Sequence, residues 1–182
     1  LGAALVVQHS KKPGTPAPRI DAPLWGPAYS SVEVEAVLKA RDDICVERFD
    51  DFSAVAAAAA ARLDAGEILG WFQGRMEFGP RALGGRSILG CPSIPGVADR
   101  INAQIKFRER WRPFCPSMLD TVGPRMLQSE HPAPFMTFTF EVAEEWKARV
   151  PEVVHEDGTS RAQVLKRECN PRYYELMLEL EK

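Results

Sequence analysis

Histidine and cysteine are scarce in this chain, and their spacing excludes the sites they usually build. The 182 residues hold four cysteines (Cys45, Cys91, Cys115, Cys169) with no C-x-x-C spacing, and three histidines (His9, His131, His155) in unrelated contexts. Neither a zinc site nor a disulfide framework is indicated, and no metal held by these residue types is expected. Long apolar runs are also missing. None approaches the roughly 20 residues that span a bilayer, and residues 1–7 are too short for a signal-peptide core. A soluble, cytoplasmic protein with no membrane partner is therefore expected. No internal repeat is visible. The first residue is not methionine, and Leu1-Gly2-Ala3-Ala4-Leu5 reads as the interior of a packed helix, which suggests a fragment.

What is present is concentrated in one stretch. Residues 74–87 carry four glycines, Pro80 and three arginines (Arg75, Arg81, Arg86). Glycine lets backbone N–H groups come close to a ligand, and arginine offers a planar fork of donors that matches phosphate or carboxylate oxygens. The stretch reads as an anion cradle between two apolar runs. From Arg75 to Arg112 eight basic residues face three acidic ones, a local balance of +5 in a chain of net charge −2. A basic island in an acidic protein suits a compact anion better than a long nucleic acid, which usually meets a wholly basic face. Charge alone leaves a solvated arginine-rich face open as the alternative.

Five prolines between residues 11 and 27 predict a linker or an extended wrap. Helical spacing over 31–41 follows a cap at Ser30 or Ser31. Ser53 can cap the alanine-rich run 54–65, with Gly66 closing it in the left-handed conformation. A buried strand is expected at 68–73 and a short one at 87–89. Val97, Ile101 and Ile105 put one apolar stripe on a helix over 96–110, with Asn102, Lys106 and Arg110 on a second stripe. Alternation over 135–142 predicts a half-buried strand, and Asp157-Gly158 a hairpin between 153–155 and 161–165. Asn170-Pro171 opens a final helix whose Tyr174, Met177 and Leu178 can face the core. Mixed strands and helices in this order indicate an α/β or α+β fold.

Three segments then carry a resemblance. G-R-M-E-F-G-P-R-A-L-G-G-R-S-I-L, D-R-I-N-A-Q-I-K-F-R-E-R-W-R-P-F-C-P-S and H-E-D-G-T-S-R-A-Q closely resemble the C-terminal region of the NodU/CmcH-type O-carbamoyltransferases, in the same order from about residue 69 to 163. The resemblance implies a YrdC-like domain over 31–182, a twisted mixed β-sheet with flanking helices. It also implies that 1–30 are the end of a preceding actin-like ATPase-fold domain plus a linker. In that family the YrdC-like domain combines carbamoyl phosphate and ATP into carbamoyl adenylate. The N-terminal domain, which holds the metal, transfers the carbamoyl group to a hydroxyl of an antibiotic, nodulation factor or similar small molecule. The family continues with a T-G-x-P-x-x-L-N-T-S-F-N segment that is absent here, so the domain is expected to be incomplete at its C-terminus.

By the same resemblance Arg81, Lys106, Arg112 and Arg161 form the catalytic, anion-binding set. From their own positions Arg86 and Arg108 read as further binding residues behind that set and Ser87 as a loop donor to phosphate, with Mg²⁺ accompanying ATP to help the leaving pyrophosphate. Each has a competing structural role. Arg81 could bond carbonyls, Lys106 could be a solvated helix lysine, Arg112 could brace a turn by stacking, and Arg161 could pair with Asp157 or Glu156. Arg86 and Arg108 could pair with Glu77 or Glu109. Glu77 is expected to orient an arginine, His155 to assist proton transfer or to be structural, and Gly79, Gly84 and Gly85 to shape the cradle. An RNA-binding YrdC-like module and a non-catalytic docking domain are the alternative functions, and the acidic remainder of the chain argues against nucleic acid.

Overall fold

A computed structural model describes residues 2–16, 18 and 20–182; Leu1, at the head of the expected packed helix, lies outside them, as do Ala17 and Arg19 in the stretch expected to be a linker. In chain order the elements are α1 (Gly2–Lys11), α2 (Ser31–Lys39), α3 (Phe52–Asp64), β1 (Leu69–Phe72), β2 (Arg86–Leu89) and α4 (Val97–Ile101). A π-helical turn (Asn102–Lys106) continues α4. Then come β3 (Ser117–Leu119), α5 (Gly123–Met126), β4 (Phe140–Glu141), α6 (Glu144–Lys147), a 3₁₀ turn (Pro151–Val153), β5 (Thr159–Ser160), β6 (Gln163–Leu165) and α7 (Pro171–Glu181). The fold is α+β. The strands form three two-stranded pieces instead of one continuous sheet: β1–β2 and β4–β5 antiparallel, β3–β6 parallel.

The alanine run becomes a packed helix because small side chains let α3 lie close on α7. Ala59, Ala60 and Leu63 meet Tyr173, Tyr174 and Leu176 there, and Leu119 and Leu165 bring β3 and β6 onto the same cluster. A second cluster of Met118, Met126, Leu127, Val142 and Ala162 sits on the other side of β3. α1 and α2 bury no residue. No helix among the described residues is long and apolar enough to cross a membrane.

Several local expectations change. Asp51, not Ser53, caps α3, its Oδ1 accepting from the Ala54 N–H at 2.9 Å while the Ser53 hydroxyl donates to the same oxygen. The helix expected to run to Arg110 ends at Lys106, because Phe107 turns left-handed at φ 48°. The strand expected over 135–142 shrinks to Phe140–Glu141. Met136 has φ 53°, which breaks extended backbone, and Phe138 is exposed, its ring edge-on to His131 at 4.9 Å. The Asp157-Gly158 turn forms, but its arms do not pair with each other as a hairpin. β5 pairs with β4, and β6 runs parallel to β3. Ser30 and Glu33 close a capping box on α2, and the Asn170 side chain accepts from the Tyr173 N–H at the head of α7.

Candidate functional site

The glycine-arginine loop joins β1 to β2 and is organised around one buried carboxylate. Glu77 is 7% exposed, and its Oε1 accepts from the backbone N–H groups of Leu83 and Gly85 at 2.7 Å and of Arg86 at 3.2 Å. Glu77, expected from the sequence to orient an arginine, instead holds backbone N–H groups and no guanidinium among the described residues. Burial opposes its ionisation, but those N–H bonds outweigh burial and hold its carboxyl below the usual range. Gly84 has φ 96°, and a Cβ there would meet the Tyr173 ring at 2.3 Å, so only glycine fits. The Gly84 N–H donates to Ser87 Oγ at 3.0 Å, and its carbonyl accepts from Gln73 Nε2 at 2.8 Å.

The π turn builds the second wall. Asn102, 2% exposed, accepts at Oδ1 from Arg108 Nε at 2.6 Å, and its carbonyl accepts from the Arg108 N–H at 3.2 Å. One buried residue thus holds both the backbone and the guanidinium of Arg108, which follows the left-handed Phe107. The Arg108 guanidinium lies 4.4 Å over the Phe114 ring. Burial, then the like charge of Arg112, pull Arg108 below the usual arginine range. On the third wall Arg161 Nε and Nη2 both donate to Cys115 Sγ at 3.2 Å, and Arg161 makes no pair with Asp157 or Glu156 among the described residues.

These walls enclose an open cleft of about 330 Å³, to which Arg81, Ser87, Lys106, Arg108 and Arg161 all contribute. The Arg81 and Lys106 side chains have no hydrogen bond or ion pair to any described residue. Among the described residues the one acid in the lining is Glu152, and both its oxygens are already engaged, by the Gly96 N–H at 2.8 Å and the Ala98 N–H at 3.0 Å. The lining therefore presents four cations and, among the described residues, no free carboxylate.

Two expected binding residues lie elsewhere. Arg86 is not in the lining: its Nη1 donates to the carbonyls of Gln73 at 2.8 Å and Gly85 at 2.9 Å, and its guanidinium covers the Phe72 ring at 3.5 Å. Arg112 is also outside, paired with Glu109 at 3.0 Å and 5.8 Å from the Trp111 ring. His155 shares a hydrogen bond between Nδ1 and Thr159 Oγ1 at 3.0 Å and does not line the cleft. Sequence reasoning missed Asn102, Cys115 and Tyr173 as parts of the site. Asn102 alone left a signal, through its place on the stripe of Lys106.

Among the described residues no group of three or more His, Cys, Asp or Glu is arranged to share a metal ion. Among the described residues the lining's single carboxylate, Glu152, is already held by two backbone N–H groups, and one such group does not make a protein-held Mg²⁺ site.

Comparison with known proteins gives a consistent answer. A family model described as the carbamoyltransferase C-terminus matches residues 60–182. Nodulation protein NolNO of Sinorhizobium fredii is 40% identical over 183 positions, covering 97% of this chain and 26% of the relative. Nodulation protein NolO of Bradyrhizobium diazoefficiens is 40% identical over 184 positions, covering 97% of this chain and 33% of the relative. Nodulation protein U of Rhizobium tropici is 43% identical over 109 positions, covering 60% of this chain and 19% of the relative. The chain thus spans a third or less of the length of each of these relatives. With its cationic cleft built from the segments inside the matched range, this chain belongs to the carbamoyltransferase C-terminal family.

Proposed function

We propose that this chain binds carbamoyl phosphate and ATP in the cationic cleft and joins them into carbamoyl adenylate. An N-terminal domain of actin-like ATPase fold would then transfer the carbamoyl group to a hydroxyl of a small molecule, making the whole protein an O-carbamoyltransferase. The observation that carries this reading is the convergence of Arg81, Lys106, Arg108 and Arg161, spread over 81 sequence positions, on one cleft with no free acid among the described residues.

The chemistry needs charge more than it needs a base. Two like unit charges 4 Å apart repel by about 4 kcal/mol at an effective dielectric near 20, and two polyanionic substrates multiply that figure. Guanidinium and ammonium groups offset it. For the atoms to balance, carbamoyl phosphate gives its phosphoryl group to water and leaves carbamate. A carbamate oxygen then bonds the α-phosphorus of ATP as the bond to pyrophosphate breaks. Carbamate is already anionic, so no side chain has to remove a proton, and His155 has no part in the step. Arg81, Lys106 and Arg161 would stabilise the charge that builds on the α-phosphate oxygens. Mg²⁺ would arrive on the phosphates of ATP.

Carbamoyl-phosphate-dependent exchange of labelled pyrophosphate into ATP tests the proposal. Exchange that requires carbamoyl phosphate and falls at least 100-fold in Lys106→Ala is the expected result. Exchange independent of carbamoyl phosphate, or unchanged in that variant, would refute it.

A further inference from the structure

The proline-rich linker ahead of α2 runs along the glycine-arginine loop and is tied to it by three backbone hydrogen bonds. The Gly26 N–H donates to the Met76 carbonyl at 2.9 Å, the Met76 N–H to the Pro27 carbonyl at 2.9 Å, and the Phe78 N–H to the Pro23 carbonyl at 2.6 Å. The fit is close. A Cβ at Gly26 would meet both Met76 Cβ and Met76 O at 2.9 Å, nearer than unbonded atoms approach. Trp25 adds a ring contact with Phe78 at 5.9 Å, and its carbonyl accepts from Arg75 Nη2 at 3.3 Å.

The two clamped residues, Met76 and Phe78, flank Glu77. In an extended segment the backbone groups of alternate residues face the same neighbour, so the strap fixes the backbone on both sides of this one carboxylate. Glu77 in turn holds the amides of Leu83, Gly85 and Arg86, which begin two residues after Arg81. The route from linker to cleft is short: strap backbone, Glu77 carboxylate, loop amides, Arg81. Beneath the strap lies a cavity of about 390 Å³, with Ile20, Ala22 and Leu24 on one side and Leu83, Ala133 and Val164 on the other. The backbone bonds to 76–78 and the contacts of Trp25 attach the strap to the loop.

We infer that residues 23–27 are a working part of the anion site. Trp25 and Gly26 are positioning residues that set the placement of Arg81 through Glu77, and lifting the strap lowers the affinity of the cleft for a phosphate-bearing anion. This rests on reading the cleft as an anion site. A preceding domain that pulls on the linker would thereby change how tightly the cleft holds its substrates.

Two measurements on Gly26→Ala, Gly26→Val and Trp25→Ala test the inference: calorimetric titration with inorganic pyrophosphate, and amide hydrogen exchange followed by NMR. The expected result is at least a fivefold loss of pyrophosphate affinity in Gly26→Val. At least tenfold faster exchange of the Leu83 and Gly85 amides should accompany it, with exchange of Leu63 and Leu176 in the α3–α7 core unchanged. A general loss of structure would speed exchange at all four positions. Should the valine variant fail to fold, Gly26→Ala and Trp25→Ala carry the test, with smaller changes of the same pattern. Unchanged affinity and unchanged Leu83 and Gly85 exchange in the variants, beside an unaltered chain that binds pyrophosphate, would overturn the strap inference alone. An unaltered chain that takes up no pyrophosphate overturns the anion reading and the inference with it.

Discussion

Replacing Glu77 with alanine removes one carboxylate and strands three backbone N–H groups inside the loop. A buried donor left without a partner costs about 1–3 kcal/mol. Leu83 and Gly85 are buried and bonded at 2.7 Å, whereas Arg86 is half-buried and bonded at 3.2 Å. Two nearly full penalties and one weak one, less the relief of no longer desolvating a charge, give about 3 kcal/mol for Glu77→Ala. Glu77→Gln keeps an oxygen acceptor in the same place and should cost about 1 kcal/mol. Urea unfolding followed by circular dichroism measures both. An alanine variant within 0.5 kcal/mol of the unaltered chain, or a glutamine variant as costly as alanine, would refute the role given to this carboxylate. The pH dependence has a definite sign. Glu77 is held below its ordinary value of 4.5 when folded. Its contribution is therefore fully present above about pH 4.5 and is lost as pH falls through the depressed value. The glutamine variant should lose less stability than the unaltered chain over that window.

Arg86→Ala should cost about 1–2 kcal/mol of stability, because its guanidinium is spent on backbone carbonyls and the Phe72 ring; unfolding curves beside a pyrophosphate titration should show stability lost and affinity kept within twofold. Gly84→Ala should destabilise by about 3 kcal/mol, since it combines a left-handed alanine with overpacking against Tyr173; a melting temperature equal to that of the unaltered chain would contradict this. Asn102→Ala removes the acceptor of Arg108 and should weaken pyrophosphate binding about tenfold in calorimetry, whereas Asn102→Asp, which keeps the acceptor oxygen, should retain most of it.

The helices with strong local signals were legible in the sequence. The cap of α2, expected at Ser30 or Ser31 and found at Ser30, and the Asn170-Pro171 start of α7 are short-range chemistry, and each sits where the residues imply. Positions set by distant contacts were not. Alternation over 135–142 looks like a strand, yet Met136 is drawn into a left-handed turn, and β6 finds its partner 46 residues earlier in β3. The same divide runs through the site. Arg81, Lys106 and Arg161 could be named from the motifs that contain them. Arg86 and Arg112 could not be sorted from them by motif, because what separates them is where a neighbouring carbonyl, ring or carboxylate falls in space. Asn102, Cys115 and Tyr173 act through side-chain geometry that no linear pattern records.

The central claim is that separate cationic segments hold one anionic substrate in a common cleft. Calorimetric titration of carbamoyl phosphate into the unaltered chain, Arg81→Ala and Lys106→Ala tests it most directly, because neither side chain has a partner among the described residues whose loss would disturb folding. Binding that weakens with added salt and falls at least tenfold in each variant is the predicted result. Carbamoyl phosphate that fails to bind, or binds both variants as tightly as the unaltered chain, would contradict it.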